Sequence, residues 1–350
     1  MNHTSENIIS ESFIDRNNEN AVTFRIRRAT VADARRICAL FEKEYGDSSH
    51  PCLDEHYVRE AISSRSEVWF AAEVEIDTLI GCMSVSYNAQ NRSWEFGRGM
   101  ISQHYRKMGV ISALMQAAID SMPSSAHDLT FVVARNYASL QALRNYVDVI
   151  PVGHDGSPNM VRGIREHHAV AIGSFGAGRH PHYLPAAPVF SESAFLRRQV
   201  FEPLGLGATV GVYPNTFFWG HGDLFSDQFT YRQDERVDAI YLCQHARGDS
   251  ATMDEVIGDL HRFLARHGGS QQYVGAIVLA DKLDLVKAML EIGFAMTAYL
   301  PAWHWHRGAR YDCVLLARRE HGFANKNGLD AYIDSFDAAY RDIGRHILAA

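Results

Sequence analysis

Between residues 23 and 155 the apolar positions switch repeatedly between a two-residue and a helical period. Thr23-Phe24-Arg25-Ile26-Arg27-Arg28 alternates as a half-buried strand does. Thr30, with Asp33 three residues on, then predicts a capped helix that lines Ala34, Ile37, Cys38, Phe41 and Tyr45 along one face. Residues 53–63 repeat that spacing through Tyr57, Val58, Ala61 and Ile62. Three strand-like runs follow, at 68–74, 79–87 and 94–101, separated by turn signals at 75–77 and 88–91. Residues 109–121 read as a helix with Val110, Leu114, Ala117 and Ala118 inward, 129–134 as a buried strand, and 138–146 as a short helix. The order is βααβββαβα.

Beyond residue 155 the rhythm weakens. Residues 156–205 are rich in glycine, proline and histidine and predict a linker with short elements, strand-like at 168–174 and helical at 193–204. Strands are expected at 209–213, 239–244 and 273–279, with an amphipathic helix at 254–266 carrying Val256, Ile257, Leu260, Phe263 and Leu264 inward. A further helix ends in Gly293-Phe294, and strands follow at 297–303 and 310–317. Leu329, Tyr332, Ile333, Phe336, Tyr340, Ile343 and Ile347 keep helical spacing, which predicts a docking helix within 321–350 that would also serve a homodimer. Residues 1–22 are polar, with nothing periodic to bury, and are expected to form a disordered tail.

The segment with most chemical content is Gln103-His104-Tyr105-Arg106-Lys107-Met108-Gly109-Val110, where a strand breaks into a basic, glycine-containing turn that opens a helix. Backbone N–H groups in such a turn converge on one concavity, and the helix N-terminus adds positive partial charge. An anion, above all a phosphate, is the expected guest. A P-loop or a dinucleotide fingerprint would need glycines that are not here. The turn, with Arg106, Gly109 and Ile111 at the matching positions, resembles the Arg/Gln-x-x-Gly-x-Gly/Ala pyrophosphate turn of the GNAT superfamily of acyl-CoA N-acyltransferases. Ile111 departs from the small residue of that pattern. The element order over 23–155 resembles the same superfamily.

The resemblance implies an α/β fold of the α+β kind, with a mixed central sheet flanked by helices, and an acyl-CoA co-substrate, expected to be acetyl-CoA. It implies that Arg106, Lys107, Met108, Gly109, Val110, Ile111 and Ser112 surround the diphosphate. Met100 and Ile101 would lie by the acyl group where the central strands splay, with Met83 helping to set the depth of that cleft. Asn136 and Ser139 would hold the pantetheine arm. Glu95 would be the general base, and Tyr146, four residues after Ala142, the acid for the departing thiolate. The Gly-Phe usual after that helix is replaced by Val147-Asp148-Val149-Ile150. Acceptor recognition would fall to Tyr45, Gly46, Asp47 and residues 48–51.

Residues 206–320 resemble a second, degenerate lobe of the same kind, because Gly293-Phe294 and two strands close it while no Arg/Gln-x-x-Gly turn precedes Asp254. The alternative is an unrelated α+β lid. Two lobes suit 350 residues that are 47% hydrophobic. A net charge of −7 gives no general attraction to nucleic acid or to an acidic membrane, and no membrane-length apolar run occurs. Five cysteines without a pairing pattern suggest reduced thiols and a cytoplasmic setting. The eighteen histidines include His167-His168, His180 with His182, and His304 with His306, but none falls at metal-ligand spacing, so no metal is expected. The expected activity is acyl transfer to a small-molecule amine. Alternatives are a CoA-binding module without turnover and an acyltransferase fed by an acyl carrier protein.

Overall fold

The computed structural model describes residues 8–11, 23–46, 48–74, 78–122, 128–173, 180–206, 209–244, 251–267, 273–319 and 324–350. Asp47, the turn at 75–77 and residues 245–250 before the second amphipathic helix lie outside them, as does most of 1–22. Strands β1 (Ile8–Glu11) and β2 (Arg25–Arg28) pair antiparallel, so part of the segment expected to be a tail extends the sheet.

Helices α1 (Ala34–Tyr45) and α2 (Glu55–Ser63) come next, then strands β3 (Glu67–Glu73), β4 (Leu79–Asn88) and β5 (Ser93–Ile101). Helix α3 (Val110–Asp120), strand β6 (Leu129–Ala134) and helix α4 (Tyr137–Arg144) follow, and β7 (Ile150–His154) closes the expected domain. The chain then forms β8 (Asn159–Val161), β9 (Ile164–Glu166) and β10 (Ala169–Gly173). Strand β10 inserts between β6 and β7, antiparallel to both, so the segment read as a linker supplies a strand of the first lobe.

The second half holds β11 (His182–Leu184), three helical turns α5 (Pro188–Ser191), α6 (Ala194–Leu196) and α7 (Glu202–Leu204), and short β12 (Thr209–Val210) and β13 (Leu224–Phe225). Strands β14 (Thr230–Asp234) and β15 (Ala239–Cys243), helix α8 (Met253–His267), strand β16 (Tyr273–Leu279), helix α9 (Leu283–Glu291) and strands β17 (Ala295–His306) and β18 (Ala309–Arg319) complete this lobe. Strand β19 (Ala324–Asn325) pairs with β9, and α10 (Asp330–Ala349) ends the chain.

One mixed sheet runs in the order β1-β2-β3-β4-β5-β6-β10-β7-β17-β18-β16-β15-β14-β13. Its two halves repeat a plan. Each has a parallel pair bridged by a helix, β5 and β6 through α3, β15 and β16 through α8, and in each the last strand slips inside the one before it. The halves join where Ala298 of β17 pairs with Gly153 of β7. Gly153 has φ +139, and a Cβ there would lie 2.2 Å from the Thr297 carbonyl oxygen. Only glycine fits this junction.

Helix α10 spans the joint. Its capping residue Leu329 and its Ile333 pack into the core under α3, and Phe336, Tyr340, Ile343 and Ile347 into the core of the second lobe. Tyr332 donates its hydroxyl to the Gly153 carbonyl at 2.7 Å, and the Tyr340 hydroxyl donates to the Val152 carbonyl. Burying each of these large side chains stabilises by about 1.5–3 kcal/mol. The docking helix is thus a strap across both lobes.

Candidate active site

Strands β5 and β6 are in register from Ser93 with Leu129 to Phe96 with Val132, and there the ladder stops although both strands continue. The cause is a bulge on the other edge of β5. Its pairing with β4 shifts between Cys82–Met100 and Ser84–Gly97, and Arg98 takes a left-handed φ of +51 between two glycines. A bulge bends its strand and sharpens the twist, which here turns β5 away from β6. Among the described residues, the edges facing the resulting wedge carry no ladder beyond Phe96.

Past Ile101 the chain makes a short turn at Gln103–Tyr105, then takes left-handed conformations at Lys107 (φ +66) and Gly109 (φ +75) before α3 begins. The Ala113 N–H is bonded to the Gly109 carbonyl at 3.1 Å. The N–H groups of Val110, Ile111 and Ser112 therefore precede any intrahelical partner, and among the described residues no side chain caps them. A Cβ placed on Gly109 would meet nothing within 4 Å, so the space in front of the turn is open. The arrangement suits a diphosphate.

The Arg106 guanidinium pairs with Glu44 of α1 at 2.6 Å, both side chains being solvent-facing. Ile111 directs its Cδ1 to within 3.5 Å of where a Cβ on Gly99 would sit. Its bulk thus fills the place of a missing side chain on β5. Val110 is buried, Met108, Ile111 and Ser112 are half-buried, and Lys107 is exposed. Met100 belongs to the core under α1 and α2, and Ile101 packs against the core under α3, so they face opposite sides of β5 at the wedge.

On the α1–α2 side of β5, Glu95 is half-buried. Burial pushes its carboxyl above the ordinary carboxylate value; Arg98 opposes that rise and Glu67 adds to it. Arg98 donates to the Tyr57 hydroxyl at 2.8 Å and to Glu67 and Ser84 Oγ, each at 3.2 Å. Its guanidinium also lies over the rings of Tyr57 and Trp69, and Trp69 Nε1 donates to Glu67 at 3.0 Å. His50 stacks on Phe41 and meets Tyr45 at a tilt, and burial, followed by Arg98, draws it down to about 3. The sequence pattern marked Tyr57 only as an inward helix position and did not single out Arg98, Glu67 or Trp69. The pair Gly97 and Gly99 inside a strand was the available signal, since strand glycines mark bulges.

Residues 34–146 match the model of the Acetyltransferase (GNAT) family. This stretch is a GNAT domain. Among solved structures, the fold is similar to a spermidine N-acetyltransferase chimera from Vibrio cholerae and hSSAT, at 15% identity and TM-score 0.36, covering 44% of this chain and 96% of that one. It is also similar to a ribosomal-protein-S5-alanine acetyltransferase from Vibrio fischeri, at 16% identity and TM-score 0.35, covering 43% and 91%. A putative acetyltransferase from Acinetobacter baylyi matches at 19% identity and TM-score 0.37, covering 43% and 92%. No curated protein matches the sequence. No described helix is long and apolar enough to cross a membrane.

Within the GNAT domain, Asn136 caps α4 by accepting the Ser139 N–H at 2.9 Å, which leaves its amide NH2 available, and Ser139 is exposed. Tyr146 requires a correction. Helix α4 ends at Arg144, so Tyr146 lies in the turn beyond it, its N–H bonded to the Leu143 carbonyl and the residue 37% exposed. The helix lacks the glycine that would mark its end.

Among the described residues, His154, Asp155 and His167 bring three ligand-type atoms within 4.8 Å of one another. All three are engaged within the protein. His154 Nδ1 accepts the Gly156 N–H and its Nε2 meets Asp337 at 2.8 Å, His167 Nδ1 meets Ser157 Oγ at 2.8 Å, and Asp155 takes the N–H groups of Ser157 and His168. The five cysteines are free thiols, all buried except the half-buried Cys38.

Proposed function

We propose that this chain is an acyl-CoA-dependent N-acyltransferase, with acetyl-CoA the expected donor, acting on a small-molecule amine. One observation carries the reading: the wedge that opens after Phe96 and the uncapped N-terminus of α3 belong to one continuous segment of chain. A long thioester with a diphosphate at one end needs both at once. The family match over 34–146 supports the same reading.

Bound acyl-CoA supplies a thioester carbonyl open to attack by an amine. The N–H groups from Val110 to Ser112 hold the diphosphate, with Lys107 at the rim and Arg106 available once it leaves Glu44. The bared edge of β5 past Phe96 aligns the thioester, and Met100 and Ile101 enclose the acyl group. The acceptor enters from the α1–α2 side, where Glu95 takes the ammonium proton on its carboxylate. As the N–C bond forms and the C–S bond breaks, the nitrogen gives up its second proton and the thiolate takes one up, with Tyr146 the candidate donor and the nitrogen's proton restoring its phenol. Alignment alone supplies about 7–11 kcal/mol of barrier lowering at best, so no side chain has to carry the rate alone.

The repeated strand order supports reading 206–320 as a degenerate GNAT-like lobe. Binding without turnover is the second reading, favoured by the place of Tyr146 outside α4. Thiol release from acetyl-CoA across a panel of small amines separates the two. Release with at least one amine supports the enzyme; calorimetric binding without release on any amine supports the binding module.

A further inference from the structure

The second lobe has the same parallel pair as the first, and the same place where it parts. Strands β15 and β16 are in register from Ala239 with Tyr273 to Leu242 with Ala276, and there their ladder ends. In the first lobe no described residue enters the corresponding wedge. Here the chain itself enters it. The Trp219 N–H donates to the Ile277 carbonyl at 2.8 Å, the Leu279 N–H donates to the Phe217 carbonyl at 3.1 Å, and Phe218 forms an antiparallel bridge with Val278. On the far side the Gln244 N–H donates to the Gly220 carbonyl at 3.2 Å, and His221 bridges Gln244.

Residues 217–221 therefore bond to both parted strands. The insert is anchored, with Thr216, Phe217 and Phe218 buried and Lys282 Nζ donating to the Pro214 carbonyl at 3.1 Å. A pantetheine arm, whose two amides need strand-edge partners, would have to displace these bonds and leave buried backbone groups unpaired.

The helix after the parting strand gives independent support. Where α3 starts without a side-chain cap, α8 starts with its own. Thr252 N–H and Oγ1 each donate to Glu255 at 2.8 Å, Thr252 Oγ1 accepts the Glu255 N–H, and Asp254 stands in the same first turn. A carboxylate already takes the place at which a diphosphate would profit from the helix terminus, and two acidic side chains repel one.

We infer that the second lobe holds no acyl donor, because residues 217–221 close its wedge and Glu255 closes its helix terminus, and that the chain has one donor site. The number one rests on the proposed GNAT-domain site; the closure of the second lobe does not. Calorimetric titration of the full chain with acetyl-CoA should give one equivalent per chain, and the double variant Arg106→Glu, Gly109→Asp should give none. Two equivalents, or binding retained in the variant with unchanged affinity, overturns the inference. No binding to the unaltered chain overturns the GNAT-domain site while agreeing with a closed second lobe. Amide exchange gives a readout that needs no variant. Acetyl-CoA should slow exchange within 97–113 and leave 217–221 and 277–279 unchanged; slowing in the latter pair alone places the donor in the second lobe.

Discussion

The Arg310 guanidinium, wholly buried in the second lobe, donates to the Asn91 carbonyl at 2.9 Å in the turn that feeds β5. It also reaches the Arg92 carbonyl at 3.0 Å and, within its own lobe, the Ala302 carbonyl at 3.1 Å. Asp128 lies 3.6 Å away, and burial draws Arg310 down to about 10, so it stays charged at neutral pH. The second lobe thus holds the entrance of the strand that bears Glu95. Arg310→Met should cost about 3 kcal/mol, since it strips buried carbonyls of their donor. Urea denaturation checks this, and kcat/KM measured on the folded variant should fall as well.

Glu95→Gln should lower kcat by about 10- to 100-fold, at or below the usual range for general bases, because alignment still operates. The pH dependence gives the sharper readout. A base whose pKa is raised by burial is inactive when protonated, so the rate of the unaltered enzyme should rise with pH along a limb above the ordinary glutamate value. That limb should vanish in Glu95→Gln. A limb that survives there assigns the proton transfer to another group.

Arg106→Glu with Gly109→Asp should abolish acetyl-CoA binding while the far-ultraviolet circular dichroism stays unchanged. Gly109 is open to solvent and Arg106 is exposed, so the cost falls on the ligand; the left-handed Gly109 adds about 1–2 kcal/mol of backbone strain. Calorimetry checks binding, and a thermal melt checks that folding persists.

Two buried histidines set a pH dependence of stability. Burial, with His154 second, draws His167 down to about 3, and burial, with His306 second, draws His304 down to about 4. In the unfolded chain both titrate near 6.5. The unfolded state therefore binds more protons between those limits, and stability contributed by the neutral rings is full above about pH 6.5 and drains away as pH falls toward 4. The denaturation midpoint should drop steadily from pH 7 to 4.5. Among the described residues, neither ring nitrogen of His304 has a hydrogen-bond partner, so His304→Phe should fold and show a shallower drop.

The order of elements in the first lobe was legible because each element declares its own period, and strands β6 and β16 fall where the apolar runs predicted them. The left-handed turn that opens α3 was legible because Gly109 and its neighbours are contiguous. What escaped depends on residues far apart in the chain. Nothing local says that Ala169–Gly173 slips between β6 and β7, or that residues 217–221 enter a wedge whose sides are β15 and β16. The strand expected at 209–213 shrinks to Thr209–Val210 with Val212 almost wholly exposed, because its edge pairs with only the short β11. Tyr146 was misplaced through a helix end, the least legible feature of any local pattern.

The glycine junction at Gly153 and Ala298 decides how the molecule can be divided. Separating the halves there would bare β7 and β17 along hydrogen-bonding edges that now face each other, and would also remove the α10 residues that each half shares. Such raw edges recruit other strands. The half that carries the GNAT domain is therefore not a detachable module, and expressed by itself it would be prone to stick to its own copies.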